Sequence, residues 1–449
     1  MVECRAKTIN EVQSGKERQN IPFIKVTGGE GDMRLKIVLS LTVLAALVAA
    51  SSALAAPWYK IGTSGFTTQV SLMQDAKRIR FNDIAVDNAG NIYATAVNGN
   101  NNGTPGGLTI YKAGGGKIDV DLNALGYPGG ITKLVKAGDG AIYGLQNWLE
   151  INWSYNSGVP NRIIRINPDG TVTGIYSPGP AADKNRIGGL TVGADGNLYW
   201  TQNGADSYWK YHFLWRYDVA SAQVEEAPIN NVNNGWSETH RMFDLEWIGG
   251  DMFAVIKMGN QQWRADLISW TQNRISANVS DPGWGRDWVT ALAYDPVQNR
   301  LWAGGRGTSN RNIMSRWNNP AGQGGSDVWH ALNTDADAGA TWWVSALDTD
   351  ANGDAWMSFG IASATNNLFG YRGHVIRRDA YLNMYDEGAP DPTGDIAALH
   401  CEGNVVYALV INANGGYDLY STVPEPSMLS VFAVGTGFMG LGRIIRRRK

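Results

Sequence analysis

The chain has 449 residues, with 38 Lys and Arg against 41 Asp and Glu and a formal net charge of −3. That balance leaves no basic surface and excludes nucleic acid as a partner. Glycine at 55 residues and tryptophan at 18 suit a turn-rich β protein with large packing groups between its layers.

Residues 1–32 differ in composition from the rest of the chain. Met33-Arg34-Leu35-Lys36, the apolar run Ile37–Ala50 and Ala53-Leu54-Ala55 have the basic start, apolar centre and small-residue cleavage site of a secretory signal. Such a signal opens a translated chain. Residues 1–32 are therefore expected to be a misassigned start, 33–55 the signal peptide and Ala56 the first mature residue. Export of this kind requires a Sec translocon and a signal peptidase. Cys4 falls in the extension, so Cys401 stands alone in the exported part and is expected to act as a small buried apolar residue.

From residue 56 to residue 422 one unit recurs, most clearly at Ile84–Tyr93, Leu190–Tyr199 and Leu347–Trp356. Alternating apolar residues run into a Gly-containing turn, and an apolar–aromatic pair restarts the chain, which predicts a β-hairpin. The restarting aromatics are Tyr93, Tyr143, Tyr199, Phe253, Trp302, Trp356 and Tyr407, at intervals of 50, 56, 54, 49, 54 and 51. A period near 50 residues belongs to a β-propeller. An all-β, seven-bladed β-propeller is expected. The last period stops at Tyr420 without a fourth strand, whereas Phe66–Leu72 reads as an orphan strand before the first hairpin. Pairing the two would latch the ring, with Trp58–Ile61 as an additional edge strand.

The hairpin text Asp87-Asn88-Ala89-Gly90-Asn91-Ile92-Tyr93, Asp195-Gly196-Asn197-Leu198-Tyr199-Trp200 and Asp350-Ala351-Asn352-Gly353-Asp354-Ala355-Trp356 resembles repeats of the NHL, two-component-regulator and streptogramin-lyase propellers. The resemblance implies the fold and carries little about chemistry.

In a propeller the loops entering the first strand of each blade and those joining second to third strands share one face, the default binding surface. The second-to-third loops mix amides and glycines with Trp148, Trp153, Tyr155, Trp209 and Trp263. Aromatic planes beside amides suit sugars, and packing between loops is the competing use of the same residues. Around the channel mouth the repeat register places Asp83, His240, Arg241, Asp244, Trp288, Trp342 and Trp343. Asp83 and Asp244 fall at one repeat position and could hold Ca²⁺ or Mg²⁺ through oxygen ligands, or pair with nearby arginines. Of the histidines only His240 is expected at the mouth; His400 is placed at the opposite end of its strand. No serine-hydrolase, zinc-protease, phosphate-loop or dinucleotide motif is present.

The C-terminus joins Val423-Pro424-Glu425-Pro426-Ser427 to an apolar stretch, Met428–Gly442, and ends with Arg446-Arg447-Arg448-Lys449. The apolar stretch is shorter than a full membrane span, and Ile444-Ile445 extend it. The basic cluster would stay on the cytoplasmic side. Pro424, Glu425, Pro426, the apolar segment and the cluster Arg446, Arg447, Arg448 together resemble the PEP-CTERM sorting signal of Gram-negative bacteria. That resemblance implies transient inner-membrane anchoring over residues 423–449, processing by an exosortase, and delivery to the cell surface or an exopolysaccharide matrix. The expected role is a non-catalytic module binding a glycan, a matrix polymer or a protein. The alternative is a metal-assisted hydrolase or lyase using Asp83, Asp244 and His240.

Overall fold

The recurrence of the hairpin has a chemical cause at its turn. Asp87 Oδ1 accepts the backbone N–H groups of Ala89 and Asn91 at 2.9 Å each, and Oδ2 accepts the Asn91 amide at 2.8 Å and the Tyr93 hydroxyl at 3.0 Å. One carboxylate thus closes an Asx-type turn and holds the polar end of the aromatic that starts the next strand. The same lock joins Asp195 to Asn197 and Tyr199, Asp139 to Ala141 and Tyr143, and Asp350 to Trp356 through its indole N–H. Phe253 has no donor to offer, and there Asp251 turns to Ser269 and Thr271 instead.

In the structure, a computed structural model, the described residues are 57–67, 82–96, 107–127, 130–146, 161–178, 187–203, 212–227, 241–259, 262–271, 288–306, 312–318, 326–330, 342–361, 373–379, 381 and 383–423. They form 27 strands and no helix, as an all-β fold requires. Strand β1 (Tyr59–Thr67) is followed by a first sheet of β2 (Ile84–Val86), β3 (Ile92–Ala96), β4 (Gly107–Tyr111) and β5 (Lys117–Asp121). The second sheet is β6 (Ile131–Lys136), β7 (Ile142–Gln146), β8 (Arg162–Ile166) and β9 (Val172–Tyr176). The third is β10 (Ile187–Val192), β11 (Leu198–Asn203), β12 (His212–Asp218) and β13 (Gln223–Glu226).

Next come β14 (Arg241–Gly249), β15 (Met252–Gly259) and β16 (Gln262–Ser269), then β17 (Trp288–Asp295), β18 (Arg300–Arg306), β19 (Asn312–Asn318) and β20 (Ser326–His330), all hydrogen-bonded into one seven-stranded sheet. The last two sheets are β21 (Trp342–Thr349), β22 (Ala355–Ile361), β23 (Val375–Arg378) and β24 (Met384–Asp386), and β25 (Asp395–Glu402), β26 (Val405–Ile411) and β27 (Gly416–Ser421) with β1 at its edge.

The sheets therefore number six among the described residues, and the expected count of seven is corrected. The reason is local. A single parallel pairing, Trp263 with Trp288, joins β16 to β17 and fuses what the 50-residue period separates. On either side of that junction the two antiparallel halves pack face to face. Ile248, Ala254, Ile256 and Leu267 of one meet Val289, Leu292, Leu301 and Ala303 of the other.

The latch exists, but one strand earlier than expected. Tyr59–Thr67 pairs antiparallel with β27, from Tyr59 opposite Ser421 to Thr67 opposite Gly416. Only Phe66 and Thr67 of the expected strand Phe66–Leu72 belong to it, and residues 68–72 lie outside the described residues. Local chemistry explains the choice. Lys60 and Thr63 reach Asp418 at 2.9 and 2.6 Å, the Gly65 N–H donates to Asp119 at 3.0 Å, and Phe66 covers Gly107. β1 so touches the last sheet and the first. The core beneath it joins Ile84, Ile92 and Tyr111 to Ala397, Leu409 and Leu419, burying apolar faces that neither sheet could hide alone. No helix among the described residues is long and apolar enough to cross a membrane; the expected signal peptide and C-terminal segment lie outside those residues.

Candidate functional site

The innermost strand of a propeller sheet has one edge that no further strand covers, and its N–H groups need partners. Here side chains from the neighbouring inner strand supply them. Asp83, just before β2, accepts Ile84 N–H on Oδ1 (3.0 Å) and reaches across to Leu134 N–H of β6 with Oδ2 (2.8 Å). Asp348 on β21 repeats the device on Thr349 and on Cys401 of β25, both at 2.8 Å. Glu246 on β14 accepts the N–H of Tyr294 on β17, and Thr191 on β10 accepts that of Trp247 on β14 at 3.4 Å. These clasps tie consecutive inner strands around the axis.

They also gather charge. A cavity of about 260 Å³ in the channel is lined by Asp83, Lys133, Lys136, Glu246, Asp348, His400 and Glu402, over apolar walls that include Ile84, Leu134, Leu292, Leu347 and Leu399. Lys133 Nζ lies 3.4 Å from Asp244 Oδ1. Burial disfavours its ammonium, but the fields of Asp244, Asp83, Glu246 and Asp348 outweigh that and raise its pKa. Burial raises Asp83, against Lys133 and the Leu134 N–H. Burial likewise pushes Glu246 up to about 8; Asp244 and Asp348 act the same way, while Lys133 and the Tyr294 N–H oppose them.

His400 stands between Asp348, with Nδ1 3.2 Å from Oδ2, and Glu402, with Nε2 3.6 Å from Oε2. The second contact is an ion pair too long for a hydrogen bond, so Nε2 has no hydrogen-bond partner. Burial alone would lower its pKa; the two carboxylates raise it to about 9. The imidazolium in turn holds Glu402 down at about 2, with burial opposing and Lys136, at 2.7 Å, adding to the effect.

Asp83 and Asp244, expected at one repeat position, both act on Lys133, whose Nζ lies 3.4 Å from Asp244 and feels the field of Asp83. Among the described residues no group of three or more His, Cys, Asp or Glu is arranged to hold a metal ion. Trp148, Trp153, Tyr155, Trp209, His240, Pro424, Glu425, Pro426, Arg446, Arg447 and Arg448 lie outside the described residues. Arg241, Trp288, Trp342 and Trp343 sit on the opening residues of β14, β17 and β21. Trp263, expected in a loop, is instead in strand β16, in register with Trp288.

His400, expected at the opposite end of its strand from the mouth, does fall near the far end of β25, and there it lines the cavity with Lys133, Lys136, Glu246, Asp348 and Glu402, none of which the repeat pattern singles out. Their signal in the sequence is a charged residue inside an apolar inner strand, as in Ile131-Thr132-Lys133-Leu134-Val135.

No protein-family model matches the chain, and no curated protein matches it in sequence. Solved structures do resemble it. A catalytically inactive variant of virginiamycin B lyase from Staphylococcus aureus, solved with quinupristin, is 13% identical with a TM-score of 0.52, covering 82% of this chain and 99% of that one. A streptogramin B lyase structure is 12% identical with a TM-score of 0.50, covering 81% and 97%. At such identities the likeness is one of fold, and what it establishes is that this chain folds as a β-propeller.

Proposed function

We propose that this chain is an exported β-propeller, sorted by an exosortase-type system to the cell surface or matrix, where it binds a glycan, a matrix polymer or a protein without chemistry of its own. The observation that carries the non-catalytic part is the engagement of the channel acids. Asp83, Glu246 and Asp348 each hold a backbone N–H of the neighbouring inner strand, and Lys133 stands beside Asp244. A general acid, base or metal ligand needs a group free to meet substrate. Export is supported by the signal-like residues 33–55, and sorting by Pro424-Glu425-Pro426 with the terminal arginines.

A glycan array probed with the secreted protein tests the binding role. Binding that Trp148→Ala or Trp263→Ala weakens is the expected result. Stoichiometric metal in the purified protein, with turnover of a polysaccharide or ester that Asp244→Ala abolishes, would overturn it in favour of a metal-assisted hydrolase or lyase.

A further inference from the structure

We propose that one end of the propeller, formed by the β17–β18 turn, the β23–β24 turn and the end of β27, rests on a lipid bilayer while the chain is anchored, with Val297, Tyr381, Met384 and Val423 in the headgroup layer. Such a contact presupposes the sorting reading above, in which the apolar stretch 428–442 enters the inner membrane. It makes a lipid surface a partner of the folded part itself.

Placement is the first ground. Among the described residues five large apolar side chains are exposed, and four of them lie at this end: Val297 (65%), Tyr381 (86%), Met384 (45%) and Val423 (39%). The fifth, Leu125 (49%), follows β5 at the opposite end, beyond the pairing of Asp121 with Gly107. A single exposed apolar residue needs no explanation, but a grouping on one face does. Hydrogen bonds between turns make the face continuous. Gln298 Nε2 in the β17–β18 turn donates to the Asn352 carbonyl of the β21–β22 turn at 3.2 Å, and the Ala351 N–H donates to the Gly403 carbonyl of the β25–β26 turn at 2.9 Å. Beside that last turn β27 ends, where the Val406 N–H donates to Thr422 Oγ1 at 3.1 Å and the Thr422 N–H to the Val406 carbonyl at 3.0 Å. Antiparallel register puts the β23–β24 turn at the same end, with Arg378 opposite both Ala355 and Met384.

The turns themselves aim these side chains outward. Asp295 Oδ1 accepts the Val297 N–H at 2.8 Å, and Asp379 Oδ1 accepts the Tyr381 N–H at 2.9 Å. Each carboxylate is tied to its own turn, and the residue two places on stands at the tip. After Asp87, Asp195 and Asp350 that place is filled by Ala89, Asn197 and Asn352. Turn chemistry therefore has no need of Val or Tyr there.

The exit of the chain identifies what covers the face. Val423 is the last described residue, and residues 424–427 separate it from Met428, where the apolar stretch begins. The five steps from Val423 to Met428 span at most about 18 Å, and the headgroup layer takes up about 5–8 Å of that. A folded domain tied so closely must lie with its exit end against the bilayer. A tyrosine, with an apolar ring and a polar tip, suits the headgroup level. The sheet ends that carry the second-to-third-strand connections then point away from the membrane.

The test uses the full mature chain, residues 56–449, reconstituted in phosphatidylcholine vesicles. An environment-sensitive dye is attached at Val297→Cys, Tyr381→Cys, Leu125→Cys or, within the apolar stretch, Val431→Cys. Unsubstituted protein is the blank, since burial keeps the Cys401 thiol protonated. Spin-labelled lipid should quench the dye at 297 and at 381 at least about threefold more than at 125. Quenching at 431 with none in excess of position 125 at 297 or 381 would overturn the contact face and leave the anchor standing; dyes shielded there by a second copy would give that result. No quenching at 431 would sink the anchor reading and the contact with it. Positions 297 and 381 are exposed and independent, so either one alone decides the matter if the other variant does not fold.

Discussion

The turn aspartate is the residue on which each hairpin depends. Asp87 is 7% exposed and holds two backbone N–H groups, an amide and the hydroxyl of Tyr93, itself fully buried. Replacing it by Ala leaves those donors without partners, and we predict a loss of about 1–3 kcal/mol in denaturant unfolding. Gly196 is constrained from outside its own sheet. It has φ +77°, and a Cβ there would lie 2.7 Å from the Cα of Gly138, whose N–H donates to the Gly196 carbonyl at 2.9 Å. Gly196→Ala should cost about 2 kcal/mol or more, because left-handed strain and collision with a neighbouring backbone add.

His400 makes stability depend on pH in a definite direction. Its pKa is raised to about 9 from an ordinary 6.5 by Asp348 and Glu402, so its contribution is complete below about pH 6.5 and disappears as pH rises through about 9. Glu246, raised to about 8, acts in the same sense, since the folded state resists its ionisation. Thermal unfolding followed from pH 6 to 10 should show a decline that His400→Gln flattens; an unchanged slope in that variant would refute the assignment.

Among the elements, β1 carries the closure of the ring. Its pairing with β27 is anchored at Asp418, whose side chain is 4% exposed and takes Thr63 Oγ1, Lys60 Nζ and Asn412 Nδ2. Burial raises the Asp418 carboxyl, but these bonds outweigh it and hold the pKa below the usual range. The latch is therefore complete above about pH 4 and weakens as pH falls below it. Asp418→Ala should destabilise the protein by about 2 kcal/mol or more, and proteolysis should then cut first near residues 57–67. The β16–β17 junction is the other element that defies the repeat. Strand periodicity reports which residues alternate, and a lone parallel pairing between Trp263 and Trp288 leaves no mark on alternation.

At the scale of the whole molecule, the channel is where all the sheets meet, and clasps and counter-charges join its inner strands. Lys136 on β6 reaches Glu402 on β25 past the three-residue β2, and Lys133 reaches Asp244 on β14 past β10. The address belongs to this scale as well. Under the proposed export route, N-terminal sequencing of the secreted protein should begin at Ala56. Deleting residues 424–449 should release the protein to the medium in place of surface or matrix delivery. A mature product that begins upstream of Met33 would contradict the signal.

Local chemistry written into the sequence was enough for the hairpins, the all-β class and the period. An Asx turn, a strand alternation and an aromatic anchor each act within a dozen residues, and Asp87 and Tyr93 are legible without a partner sheet. The closing strand could be anticipated from a missing fourth strand, but not its register, because Lys60, Thr63 and Phe66 are selected by Asp418 and Gly107, far along the chain. The channel cluster was beyond local reading. Lys133, Glu246, Asp348 and His400 are dispersed over nearly 270 residues, and each reads alone as an ordinary charge on a strand. Closing the ring brings them around one cavity, where low dielectric couples them strongly. Tertiary structure alone decided that these charges share a site, and that the propeller's acids answer first to its own backbone.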